Sequence, residues 1–194
     1  MSPERAGSLQ VITGPMFSGK SEELMRRVHR SQLAGRRVLV ITHALDDRRG
    51  VEQVSTHTGR SIPATTATDS QQILVLATGQ DLDLLAIDEA QFFGPDLIPA
   101  VLTLAGEGTV VVVSGLCVTF DAQPYPPLPE LMALAEQVTK LTAVCAVCGA
   151  DAVYHQRVRV ASGSQSAGVD PTVALAEHIG GTESYQARCR RHLE

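Results

Sequence analysis

The eight residues Gly14-Pro15-Met16-Phe17-Ser18-Gly19-Lys20-Ser21 restrict the fold of this chain more than any other stretch. Two glycines with four residues between them, followed by Lys-Ser, form a Walker A pattern, which works only between a strand and the start of a helix. That setting is present. Leu9-Gln-Val-Ile-Thr13 reads as a short buried strand. Glu22 to about Ala34 reads as a helix, with Leu24, Met25, Val28 and Leu33 at roughly helical spacing. Glu22 and Glu23 at its start and Arg26, Arg27 and Arg30 further on suit the helix dipole, and Gly35 is a natural stop. Glycines in such a loop let backbone N–H groups turn inward onto phosphate oxygens. Lys20 then reaches the outer phosphates, and the Ser21 hydroxyl is placed to ligate Mg²⁺.

The segments that follow alternate. Arg37–Ile41, Asp83–Asp88 and Thr109–Ser114 are continuous aliphatic strands, whereas Ser70–Ala77 and Pro95–Ala105 read as helices. Residues 43–70 look like loops with one short strand. Aliphatic strands alternating with helices predict an α/β fold with a parallel sheet covered on both faces. Phe120–Pro129 holds four prolines (Pro124, Pro126, Pro127, Pro129) and reads as a stiff loop. Leu131–Glu136 reads as a short helix and Val138–Cys145 as a last strand.

Asp88 ends a buried strand 68 residues after Lys20. In a parallel sheet it lands near the phosphate loop, at the carboxyl ends of the strands, and reaches Mg²⁺. Glu89 follows and can take a proton from a nucleophile, either water or a substrate hydroxyl. Asp46, Asp47 and Arg48 follow the second strand. They read equally as metal or phosphate contacts and as exposed loop charges.

Cys145-x2-Cys148 and Cys189-x2-His192 are two pairs of zinc spacing with 40 residues between them. Together they predict a closed Cys3His site of structural rather than catalytic type. The ends of a long loop would be pinned by it. A domain boundary is expected near 143, separating a nucleotide-binding unit, 1–143, from a zinc unit, 144–194. Cys117 reads as a packed small hydrophobe. His29, His43, His57, His155 and His178 read as ordinary surface or packing residues.

These features together resemble the zinc-containing, cellular-type thymidine kinases. The matching stretches are Gly14–Ser21, Asp88-Glu-Ala-Gln-Phe-Phe93, Lys140-Leu-Thr-Ala-Val-Cys145 and Ile179-Gly-Gly-Thr-Glu-Ser-Tyr-Gln-Ala-Arg-Cys189. The resemblance implies a RecA-like sheet with a zinc-bound lasso over the nucleoside. It implies ATP with Mg²⁺ as donor, and thymidine or deoxyuridine as acceptor. Glu89 matches the carboxylate that takes the 5′-hydroxyl proton. Asp46 and Arg48 match residues near metal and phosphates. Met16, Leu116, Phe120 and Tyr185 match positions lining the nucleoside pocket, and the backbone near Ile179 and Gly180 matches the contact to the thymine edge. A homotetramer with dTTP as feedback inhibitor is also implied. The chain departs from the family's pattern at Cys117, where an acidic residue is usual, at Asp121, where bacterial members carry Arg, and at Ala90, where Gly is common.

Composition bears on what else the chain could be. A formal net charge of −5 and 4 % aromatic residues argue against nucleic acid as a partner. No apolar run approaches a membrane span, and MSPERAGSLQ has no signal-like core, so a cytoplasmic protein is expected. The competing readings are a small P-loop ATPase with a zinc module binding nucleic acid, and a nucleotide-binding regulator without catalysis.

Overall fold

The computed structural model describes residues 6–45, 53–55, 61–158 and 185–193. In chain order the strands and helices are β1 (Ser8–Thr13), α1 (Lys20–Leu33), β2 (Val38–His43), β3 (Gln53–Ser55), β4 (Ser61–Pro63), β5 (Thr65–Ala67), α2 (Ser70–Ala77), β6 (Leu84–Ile87), α3 (Leu97–Gly106), β7 (Val110–Gly115), α4 (Leu128–Leu134), β8 (Gln137–Lys140), β9 (Ala143–Val144), β10 (Asp151–Ala152), β11 (Tyr154–Arg157) and β12 (Tyr185–Arg188). Short 3₁₀ turns cover Ala90–Phe93 and Arg190–His192.

Six strands form one parallel sheet in the order β5-β2-β6-β7-β1-β8. Aliphatic side chains alternate between its faces and create two cores. Ile12, Leu84, Ala86 and Val112 meet Leu24, Met25 and Val28 of α1 on one face, with Val54 added from β3. Leu9, Val11, Leu85, Ile87, Val111 and Val113 meet α2, α3 and α4 on the other, through Ile73, Leu97, Val101, Leu104, Leu128 and Leu131. A buried aliphatic side chain of this size stabilises the fold by about 1.5–3 kcal/mol. The two layers therefore hold the sheet rigidly beneath whatever lies at its carboxyl edge. Strand β7 stands between β1, which feeds the phosphate loop, and β6, which feeds Asp88. This is the RecA-like arrangement that the resemblance implied.

Several local expectations need correction. Leu33 is 75 % exposed, and Ser31 takes the buried position of the last helical turn. Leu33 is five residues beyond Val28, so at 100° per residue it points well away from the apolar stripe. Residues 43–70 hold three described short strands rather than one. The segment read as a single strand over Val138–Cys145 is two. β8 extends the main sheet, and β9 turns away to pair with β10. Helix α4 begins at Leu128, three residues early, because Pro129 lies in the first turn, where a missing N–H leaves no helical bond unmade. No helix among the described residues is long and apolar enough to cross a membrane.

Candidate active site

The phosphate loop leaves β1 at Thr13, whose hydroxyl donates to Gly115 O on the neighbouring strand at 3.0 Å. The loop then passes so close to the 140s segment that a Cβ at Gly14 would lie 2.6 Å from Leu141 O and 2.6 Å from Ser18 Oγ. Only glycine fits there. Gly19 caps α1 in the left-handed region, at φ 82°. Phe17 also has positive φ, 67°, without being glycine. Ser18 Oγ and Lys20 Nζ both donate to Pro15 O, each at 2.8 Å, so the lysine ammonium lies over the loop itself.

Asp88 is buried just past β6. It accepts hydrogen bonds from Ser114 Oγ at 2.7 Å, from the Glu89 N–H at 3.0 Å and from the Ser21 hydroxyl. Loss of solvation raises its pKa well above the ordinary carboxylate value. The neighbouring Glu89 charge pushes the same way, and the three hydrogen bonds offset only part of the rise. A buried carboxylate with a serine hydroxyl against it is a set of hard oxygen donors, which fits a magnesium ion. One strand, β7, separates Asp88 from the phosphate loop. The contact is made because Ser21 projects from the first turn of α1 across that strand's end.

Glu89 is half-buried and held at φ 52°, a left-handed conformation that a non-glycine residue adopts only against strain. Gln91, 3 % exposed, donates from Nε2 to Glu89 Oε2 at 2.5 Å. The same amide accepts the Leu116 N–H on Oε1 at 3.0 Å.

Beside this carboxylate an apolar and aromatic cluster forms from distant parts of the chain. Met16, Leu116 and Tyr185 are its buried members, and Phe17, Phe120 and Tyr125 pack against them. The rings of Phe120 and Tyr185 lie 6.5 Å apart, and His155 meets Tyr185 edge-on at 5.9 Å. Burial, with the nearby Glu89 charge and Tyr185, pushes the Tyr125 phenol up to about 12, so it stays protonated. The four positions matched to a nucleoside pocket, Met16, Leu116, Phe120 and Tyr185, are thus brought together. Asp46, Asp47, Arg48, Ile179 and Gly180 lie outside the described residues, as do His57 and His178.

Cys145, Cys148, Cys189 and His192 converge with their ligand atoms all within 4.8 Å of one another. Cys148 Sγ and Cys189 Sγ are 3.7 Å apart, and His192 Nδ1 lies 3.7 Å from Cys145 Sγ and 3.2 Å from Cys189 Sγ. A tetrahedron with ordinary zinc bond lengths has edges of about 3.8 Å between sulfurs and about 3.6 Å between sulfur and nitrogen. The cluster is compatible with a zinc site. Burial opposes ionisation of the Cys145 thiol. Hydrogen bonds from the Cys189, Val147 and Cys148 backbones and from His192 outweigh it and bring the thiol down to about 5, toward the thiolate that a metal takes.

Residues 7–193 match the family model for thymidine kinase. The chain belongs to the thymidine kinase family. It is 47 % identical over 195 residues to the thymidine kinase of Deinococcus radiodurans, covering 96 % of this chain and 89 % of that one. It is 45 % identical over 200 residues to the thymidine kinase of Deinococcus deserti, covering 98 % and 96 %. Among solved structures, domain III of the replication initiation protein DnaA from Thermotoga maritima matches 73 % of this chain and 57 % of that one at TM-score 0.41 and 17 % identity, too slight a likeness to carry any argument.

The departures from the thymidine kinase pattern can now be placed. Cys117 is buried in the core beneath α4, as the packing reading of this residue anticipates. Asp121 is exposed and accepts the Thr119 hydroxyl, closing its own turn. Ala90 is fully buried. His43 and His155 are buried packing residues. Two residues of this site went unassigned in the sequence, Gln91 and Tyr125. Gln91 had a signal, since it sits two residues past Glu89. Tyr125 had none, because nothing local shows that a proline-rich loop folds back on the sheet.

Proposed function

We propose that this chain transfers the γ-phosphoryl group of ATP to the 5′-hydroxyl of thymidine, and of deoxyuridine, giving the 5′-monophosphate. One observation carries the reading. Glu89 adjoins Asp88, which meets Ser21 of the phosphate loop, and lies close enough for its charge to act on Tyr125, which packs against the Met16–Leu116–Tyr185 cluster. A base so placed can reach a hydroxyl on a molecule seated in that cluster.

The backbone N–H groups of Gly14, Pro15's successors Met16, Phe17 and Ser18, and Gly19 receive the phosphates, and Lys20 exchanges its bond to Pro15 O for a phosphate oxygen. Ser21 and Asp88, with Asp46, would hold Mg²⁺, which would supply positive charge to offset that of the phosphates. Arg48 belongs on the phosphates. Glu89 accepts the 5′-hydroxyl proton as the oxygen attacks. Met16, Leu116, Phe120 and Tyr185 enclose the nucleoside, and the backbone at Ile179 and Gly180 binds the thymine edge. The enclosure also keeps water from the donor, which a kinase requires. Cys145, Cys148, Cys189 and His192 hold a structural zinc that fastens β12, and with it Tyr185. Residues 1–143 act as the nucleotide unit and 144–194 as the covering unit, although Phe17 packs across that division. A cytoplasmic homotetramer inhibited by dTTP completes the proposal.

The test is ATP consumption with thymidine, with single-stranded DNA and with neither. Consumption that depends on thymidine supports the proposal. Consumption stimulated by DNA and indifferent to thymidine overturns it in favour of a nucleic-acid-dependent ATPase.

A further inference from the structure

We infer that Gln91 is a positioning residue, an amide strut that fixes the Glu89 carboxylate relative to the floor of the nucleoside cluster. The inference rests on the reading of Glu89 as the base. It starts from the two ends of one side chain. Nε2 donates to Glu89 Oε2 at 2.5 Å, and Oε1 accepts the Leu116 N–H at 3.0 Å. Leu116 is itself a buried member of the cluster. The strut thus ties the reacting carboxylate to the strand end on which the acceptor would rest.

Three further facts mark the arrangement as built. Gln91 is 3 % exposed, and an uncompensated buried amide is costly, so a buried Gln is retained where both of its ends are used. Gly115 leaves room for it, because a Cβ there would lie 2.7 Å from Gln91 Oε1. Glu89 sits at φ 52°, a conformation that surrounding contacts must hold. With its carboxylate free to rotate, Glu89 would spread over several orientations, most of them unproductive. A misplacement of about 1 Å can cost roughly 100-fold in rate.

Gln91→Met keeps the volume and removes both hydrogen bonds. Gln91→Glu keeps an acceptor for the Leu116 N–H and removes the amide donor, which protects the measurement should the methionine variant fold poorly. Each is compared with the parent for kcat, for thymidine and ATP affinity by titration, and for thermal midpoint. We expect kcat to fall about 10- to 100-fold in both, with both affinities within about threefold. Adding Gln91→Glu to Glu89→Gln should then cost little more, because the strut acts through the base. If Gln91→Glu lowers the thermal midpoint but leaves kcat within threefold, the role is structural and the inference fails. Independent, multiplicative losses in the double variant overturn it as well. Glu89→Gln alone separates the two readings. If it keeps full kcat, the base assignment has failed; if it is crippled while Gln91→Glu is not, only the strut has failed.

Discussion

Glu89 and Lys20 have distinct signatures in the proposed reaction. As the proposed base, Glu89 would take a proton in the transition state only, so Glu89→Gln should lower kcat by about 10²–10⁴ while nucleotide binding hardly changes. Steady-state kinetics with a separate ATP titration checks this. A kcat within a few-fold of the parent would place the base elsewhere. Lys20 Nζ now rests on Pro15 O and is expected to offset charge growing on the transferred group. Lys20→Ala should therefore lose turnover far more than thymidine affinity. A variant with parent-like turnover would remove the donor-site assignment.

Two elements hold the site in place, and each makes its own prediction. Helix α1 is fastened to the sheet through Glu23. Its carboxylate takes Arg26 at 2.6 Å and 2.8 Å and Arg27 at 2.9 Å, and Arg27 continues to Gln10 on β1 and Thr139 on β8, both at 2.8 Å. The Arg26 hydrogen bond leads in holding Glu23 down, to about 2. A carboxylate depressed on folding contributes stability above its unfolded value near 4.3, and that contribution fades as pH falls toward 2. Arg26 is half exposed, so solvent screens the pair and the contribution is about 1 kcal/mol. Urea unfolding should show Glu23→Gln weaker by this amount at pH 7 and equal to the parent near pH 2. An equal deficit at both pH values would exclude the ion-pair explanation. The other element is β12, which starts at Tyr185 in the cluster and ends at Arg188, next to Cys189 of the Cys3His group. Cys189→Ser should drop zinc from one per chain to markedly less and abolish thymidine binding. ATP binding should change modestly, since Phe17 of the phosphate loop packs on the cysteine cluster as well as on the nucleoside side. Retained zinc with undiminished thymidine affinity would show that Cys189 is no ligand. Loss of ATP binding as well would mean the knot supports the whole fold.

At the scale of the molecule, what could be read from the sequence is what depends on short spacing. The phosphate loop, the Asp88–Glu89 pair and the two metal-spaced pairs each lie within a few residues, and the aliphatic runs announce a sheet covered on both faces. What could not be read depends on where the chain returns. Leu33 looked like part of the apolar stripe until helical phase put it in solvent. The last strand split because β8 follows the main sheet and β9 does not, a choice made by tertiary pairing. Tyr125 and the Gln91 strut exist only once β7, the 3₁₀ turn after Asp88 and the proline-rich loop have met. The site is therefore a product of the whole sheet edge, and the claim that binds these parts together is phosphoryl transfer to a nucleoside. The measurement closest to that claim follows the phosphorus itself. Phosphorus NMR of the protein with ATP, Mg²⁺ and thymidine should show a new phosphate monoester coupled to the thymidine 5′ protons, formed in step with ADP. A spectrum in which ADP accumulates with inorganic phosphate and no nucleoside ester would contradict the account.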